Sequence, residues 1–178
     1  MYVLSNLELN QIVPLRVDSY SVDLTHMGSI NNRLQELGLE LPKLPEPVAN
    51  YVPGVKVGNL IFLSGQTPKD GEHIRYKGKL DVDLSIEEGY AAAKLCTLRL
   101  LSVLQSLTGD LERVKRIVKL TVFVNASEDF EKHPQVADGA SDLLEKLFGE
   151  IGQHARAAVG VDSLPSGAAV EIELIAEV

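Results

Sequence analysis

The sequence has little of what marks a secreted or membrane-spanning protein. Its one cysteine, Cys96, excludes an internal disulfide and fits a reducing compartment. No apolar run reaches the roughly 18 residues that a membrane-spanning helix needs, and the N-terminus lacks the basic, apolar and small-residue order of a signal peptide. From these absences we expect a cytoplasmic protein with no membrane partner.

Basic residues and cofactor motifs are also scarce. Seventeen lysines and arginines against 25 aspartates and glutamates give a net charge of −8, which repels phosphate backbones, so we expect no nucleic-acid partner. The four histidines have no metal-ligand spacing. A GxSxG elbow, a phosphate-binding loop and a dinucleotide fingerprint are all missing, so neither a metal nor an organic cofactor is expected.

What is present is the composition of one globular domain. The chain has 178 residues, 45% of them hydrophobic and 24% charged, which is enough to bury a single core. We divide it into residues 1–49, an N-terminal arm with a short helix over "INNRLQELG" and a proline-rich connector, and residues 50–178, the domain proper.

The sequence of residues 50–178 predicts the element order β-β-(β)-α-β-α-β-β. "VKVGNLIFLSG" indicates a hairpin turning at Gly58-Asn59, and its run "LIFL" predicts a strand with no wet face. "HIRYKGKL" predicts a weak third strand. Ser85 opens a helix with the capping box "SIEE", and Gly109 ends it. "RIVKLTVFV" is a strand, Pro134 opens a second long helix, and residues 155–161 and 168–177 are two final strands joined by "DSLPSG".

This order predicts an α+β fold, a two-layer sandwich of a mixed sheet with two long helices on one face. The last strand alternates apolar residues with Glu171, Glu173 and Glu177, so the apolar set belongs under the helices. The glutamate face would meet water or another subunit. We expect Glu171 to share a cleft with Arg156, either through pairing of the last two strands in a hairpin or across a subunit boundary.

Three stretches, "NLIFLSGQTP", "KLTVFVNASEDF" and "ARAAVGVDSLPSGAAVEIELIAEV", resemble the RidA/YjgF family, once labelled L-PSP endoribonuclease. The likeness covers roughly residues 50 to 178. The longer N-terminus resembles a subgroup mostly of unassigned function. The resemblance implies a chorismate-mutase-like protomer, a homotrimer with clefts between subunits, and hydrolysis of reactive 2-imino or enamine acids to 2-keto acids and ammonia without a cofactor.

The family's carboxylate-binding arginine falls on Arg156 and its acidic residue on Glu171, while Tyr51, Ser64 and Gly65 fall on cleft positions. A guanidinium binds a planar carboxylate through two parallel hydrogen bonds, and a nearby carboxyl group can orient water and transfer protons. The chain departs from the family in having Asp138 or Gly139 where an asparagine is common, and Ala158 where a cysteine is common.

Each of these residues also has a structural interpretation. Arg156 could form an ion pair, Glu171 could belong to a solvated face, Ser64 could cap a turn and Tyr51 could pack at a rim. Cys96 lies mid-helix and is expected in the core. Three functions stay open: an imine deaminase, a non-catalytic module that senses a small carboxylate, and an RNA-cleaving protein.

Overall fold

The structure is a computed structural model that describes residues 29–43 and 50–178. Residues 1–28 of the predicted N-terminal arm and residues 44–49 of the proline-rich connector lie outside this part of the chain. The helices and strands of the described part are α1 (Ile30–Glu36), β1 (Gly54–Val57), β2 (Leu60–Gln66), β3 (Lys69–Asp70), β4 (His73–Ile74), α2 (Ile86–Thr108), β5 (Arg116–Asn125), α3 (His133–Phe148), β6 (Ala155–Val161) and β7 (Val170–Glu177).

The predicted two-layer α+β sandwich is confirmed. Five strands form one sheet in the order β1-β2-β7-β5-β6, in which β5 and β6 are parallel and every other pair is antiparallel. The two long helices α2 and α3 pack on each other, and the buried core lies between them and the sheet. No helix of the described residues is long and apolar enough to cross a membrane.

Local sequence signals place both helices. Ser85 accepts a hydrogen bond from the Glu88 amide while the Glu88 side chain accepts one from the Ser85 amide, which completes the capping box of α2. Gly109 ends α2 at a φ of 81°, a left-handed conformation that glycine adopts without a Cβ clash. Pro134 stands in the first turn of α3, where its missing amide hydrogen costs no intrahelical bond.

The predicted strand faces are largely confirmed, with one exception in β2. Val170, Ile172, Leu174 and Ala176 of β7 are buried under the helices, and the three glutamates of that strand point the other way. The run "LIFL", however, does have an exposed face, because Phe62 is 42% exposed on the side of the sheet that no helix of the described residues covers.

The strand predicted over "HIRYKGKL" is only partly present. His73–Ile74 pairs with Lys69–Asp70 in a separate two-stranded sheet. After it, Lys77 and Leu80 make isolated bridges to other segments, and Gly78 between them has a φ of 131°. Because the backbone turns at this glycine, the segment cannot continue as one strand.

The hairpin expected between the last two strands is wrong. Strand β5 lies between β6 and β7, pairing with β6 in parallel and with β7 in the antiparallel sense. The reason is that β5, α3 and β6 form a crossover unit, in which a helix returns the chain to a parallel neighbour. Strand β7 then inserts on the other side of β5, where it is paired along both edges.

Candidate functional site

Glu171 is the first residue of β7 that points to the open face of the sheet, and its carboxyl group lies over Gly65. Strand β2 has a bulge between Leu63 and Gln66, and this bulge contains Gly65. A Cβ atom on Gly65 would lie 2.1 Å from Oε1 of Glu171, so only glycine leaves room for the carboxyl group there. The sequence motif "SGQ" thus supplies the space in which Glu171 sits.

Burial raises the pKa of the Glu171 carboxyl group, and the neighbouring charge of Glu173 raises it further. A carboxyl group in such a setting keeps its proton to higher pH than a solvated glutamate does. It can therefore give or accept a proton closer to neutral pH, which is the property a general acid-base group needs.

Ser64 and Tyr51 belong to the same end of the sheet. The Ser64 hydroxyl donates a hydrogen bond to the Val52 carbonyl at 2.8 Å, and the Ser64 amide donates to the Pro53 carbonyl at 3.0 Å. These bonds fasten the segment that follows Tyr51 to the bulge of β2. Tyr51 is 62% exposed, so it does not contribute to the core. The structure thus brings the neighbourhoods of Tyr51, Ser64, Gly65 and Glu171 together.

Arg156 lies elsewhere, on the edge strand β6. It is in register with Leu120, which is in register with the buried Leu174, so its side chain belongs to the helix side of the sheet. There its Nη1 atom donates to Oδ1 of Asp138 at 2.8 Å and to the Ser141 hydroxyl at 3.0 Å, both on α3. Arg156 therefore forms the ion pair that its structural interpretation predicts.

This position corrects the expectation that Arg156 and Glu171 share a cleft within one chain. Glu171 is in register with Phe123 on the open face, whereas Arg156 belongs to the covered face. They are two strands apart and three residues out of register, which separates their Cα atoms by about 14 Å at ordinary strand spacings. Of the two routes that the sequence left open, only the one across a subunit boundary remains.

Arg156 still has capacity to bind an anion. Among the described residues, only its Nη1 atom makes hydrogen bonds, and the N–H groups of Nε and Nη2 have no partner in that part of the chain. These two nitrogens form one edge of the guanidinium, and such an edge can bind a carboxylate through two parallel hydrogen bonds.

Two residues beside Arg156, Ser141 and His154, were not predicted from the sequence as site residues. His154 has its Nδ1 atom 2.6 Å from the Gly152 carbonyl and its Nε2 atom 3.1 Å from the Ser141 hydroxyl. Burial lowers the His154 pKa, as does the charge of Arg156, while the hydrogen bond to Gly152 opposes them. Only the spacing of Asp138 and Ser141 on one face of a helix could have indicated part of this network.

A shallow depression of about 280 Å³ opens beside this network, lined by Ser141, Glu145, Gly152, Gln153, His154 and Arg156. The described residues contain no group of three or more histidine, cysteine, aspartate or glutamate side chains placed to hold a metal ion.

Cys96 is fully buried, in agreement with its predicted place in the core, and burial raises its thiol pKa well above the ordinary value.

The strand order and the crossover define an α+β protomer of the chorismate-mutase-like class. A family model described as "YjgF/chorismate_mutase-like, putative endoribonuclease" matches residues 31–178, and the chain belongs to this family. Protein TCP17 of Trypanosoma cruzi is 48% identical over 84% of this chain and 94% of its own length.

Two further comparisons bear on structure and activity. The crystal structure of a "putative endoribonuclease" from Shewanella oneidensis has a TM-score of 0.82 and 36% identity, covering 85% of this chain and all of that one (100%). A 2-iminobutanoate/2-iminopropanoate deaminase of Dermatophagoides farinae is 27% identical over 77% of this chain and 92% of its own length.

Proposed function

We propose that this protein hydrolyses reactive 2-imino acids, or the enamines in equilibrium with them, to 2-keto acids and ammonia. Membership of the YjgF family and the likeness to a 2-iminobutanoate/2-iminopropanoate deaminase support this proposal. The observation that carries it is a pair of complementary groups. One is a guanidinium with an edge that has no partner among residues 29–43 and 50–178, and the other is a half-buried carboxyl group with a raised pKa.

In the proposed reaction, Arg156 binds the substrate carboxylate and withdraws charge from the adjacent C=N carbon. Glu171 accepts a proton from water as the water oxygen bonds to that carbon, and it passes this proton to the nitrogen, which forms a neutral carbinolamine. In the second step Glu171 accepts the proton of the carbinolamine hydroxyl group and gives a proton to the nitrogen as the C–N bond breaks, so that a keto acid and ammonia leave. Tyr51, Ser64 and Gly65 line the cleft around the substrate.

Because Arg156 and Glu171 lie on opposite faces within one chain, the proposed site is built from two subunits of a homotrimer. The open sheet face supports an assembly of this kind, since it exposes large apolar side chains that a subunit interface would bury. Phe62 is 42% and Val159 is 44% exposed there. In a cyclic trimer each such interface would form one cleft, giving three equivalent sites.

The activity is tested by generating 2-iminopropanoate with an amino-acid oxidase and following pyruvate release above the spontaneous rate. We expect Glu171→Gln to lower kcat by about 10²- to 10⁴-fold. The matched control is Glu177→Gln, which changes a more distant glutamate on the same face of the same strand and should leave kcat within about twofold of wild type. Equal activity of wild type and Glu171→Gln would contradict the proposal.

Arg156→Ala and Glu171→Gln together test whether the site spans two subunits. Each variant alone should be inactive, but co-expressed in equal amounts they form mixed trimers in which about a quarter of the clefts have both native residues. We therefore expect recovery of about a quarter of wild-type activity. No recovery above that of the separate variants would show that the site does not lie between subunits.

A further inference from the structure

A chain of hydrogen bonds runs from the Gly152 carbonyl through His154 and Ser141 to Arg156, and the direction of each bond can be assigned. A carbonyl oxygen only accepts, so the 2.6 Å contact between Nδ1 of His154 and the Gly152 oxygen requires a proton on Nδ1. In the neutral ring Nε2 then has the lone pair. The lowered pKa of His154 keeps the ring in this neutral form.

The His154 tautomer in turn orients the Ser141 hydroxyl. Because Nε2 can only accept, the Ser141 hydroxyl donates its single proton to it across 3.1 Å. The hydroxyl oxygen then offers only lone pairs to its other neighbour, Nη1 of Arg156, at 3.0 Å. Arg156 can only donate, so the hydrogen bonds from Gly152 to Arg156 form one consistent series.

At the end of the series, Nη1 of Arg156 is fully occupied. Its two N–H groups donate to Ser141 and to Oδ1 of Asp138. An arginine side chain loses considerable conformational entropy when it binds a ligand in one rotamer, and this loss weakens binding unless the rotamer is already fixed. With Nη1 held by α3, the Nε–Nη2 edge is the part of the guanidinium left to bind a ligand.

We infer that Ser141 and His154 are positioning residues, which hold Arg156 with its Nε–Nη2 edge presented to the substrate carboxylate. His154 acts through the proton of Ser141 and touches no substrate. This inference rests on the proposed function, in which Arg156 binds that carboxylate. It predicts that the two residues contribute to affinity as a unit rather than separately.

The test measures pyruvate binding to the full-length assembled protein by titration calorimetry. Ser141→Ala and His154→Ala should each weaken binding about 3- to 10-fold. The double variant should be no weaker than Ser141→Ala alone, because His154 acts only through that hydroxyl. Ser141→Thr, which keeps the hydroxyl, should restore binding. Gln153→Ala is the matched control, since Gln153 lines the same depression without a bond to Arg156.

The outcomes separate this inference from the proposed function. If Arg156→Ala abolishes pyruvate binding while Ser141→Ala and His154→Ala bind like wild type, or if their effects add in the double variant, the inference is wrong and the proposed anchor stands. If Arg156→Ala binds pyruvate as wild type does, the proposed anchor is wrong.

A second measurement does not depend on any ligand. Nitrogen-15 NMR should show the His154 proton on Nδ1, and side-chain relaxation of Nε in Arg156 should show an ordered guanidinium that becomes mobile in Ser141→Ala and His154→Ala. An Arg156 side chain equally ordered in wild type and both variants would overturn the inference whatever pyruvate does.

Discussion

The two faces of the five-stranded sheet differ in what their residues contribute. On the face under α2 and α3, Val122, Ile172 and Leu174 are at most 1% exposed, and they form the centre of the core. On the open face, Phe62 is 42% exposed, and the half-buried carboxyl group of Glu171 lies beside the β2 bulge. Folding of one chain therefore depends on the covered face. The open face is available for a functional site and for contacts with other subunits.

The largest expected effect contrasts two isoleucines of β7. Ile172 is fully buried on the covered face, and Ile172→Ala should lower the free energy of unfolding by about 2 to 5 kcal/mol through lost burial and a cavity. Ile175, on the open face, is the matched control, and Ile175→Ala should cost less than about 1 kcal/mol in the dissociated chain. Urea denaturation at low protein concentration measures both. Equal losses would remove the distinction between the faces.

Gly65→Ala should separate activity from stability on the open face. The three atoms nearest to the new Cβ all belong to the flexible Glu171 side chain, so we expect the carboxyl group to move while the fold persists. Because small misplacements of a reacting group cost up to about 100-fold, kcat in the imine assay should fall at least about 10-fold, with the free energy of unfolding changed by less than about 0.5 kcal/mol.

The control for Gly65→Ala is the double variant with Glu171→Gln, which should be no less active than Glu171→Gln alone. A fully active Gly65→Ala protein would show that the position of the Glu171 carboxyl group does not matter.

Glu171→Gln should also have a smaller effect on stability, with a definite sign. Burial raises the pKa of Glu171 in the folded state, so its contribution to stability is complete below the unfolded pKa and is lost as pH rises through the folded pKa. The glutamine variant has no charge to bury. It should be more stable than wild type near pH 8, and the difference should vanish near about pH 3.5. Urea denaturation at the two pH values checks this, and a destabilised variant at pH 8 would contradict it.

The smallest expected signal comes from Cys96 on the covered side. Its thiol is fully buried and its pKa is raised well above the ordinary value, so the reactive thiolate is scarce. A thiol reagent should label the native protein at no measurable rate and should label it promptly in urea. Rapid labelling of the native state would show that this face opens readily.

Most of the local structure could be predicted from the sequence, because it depends on neighbouring residues. The capping box at Ser85, the left-handed Gly109 and the alternation of β7 each lie within a few residues of the chain. The resemblance to the YjgF family also follows from short stretches, and the family match confirms it. The prediction of a strand over "HIRYKGKL" was only partly right. Polar and apolar residues go on alternating there, but the backbone turns at Gly78.

The candidate site was less predictable. Proximity in sequence suggested that β6 and β7 pair, but the α3 crossover places β5 between them. That arrangement moves Arg156 to the helix side and brings it to Asp138, Ser141 and His154. The spacing of Asp138 and Ser141 on one helix face was the only signal of this network in the sequence.

By itself, the sequence determined the helix ends, the buried face of β7 and the family, since each depends on local residue order. Only the tertiary structure decided that Glu171 lies over Gly65, that Arg156 belongs to the opposite face, and that its Nη1 atom is bonded to α3. These features depend on which strands become neighbours, and strand order is set by crossover connections and long-range packing rather than by residues adjacent in the chain.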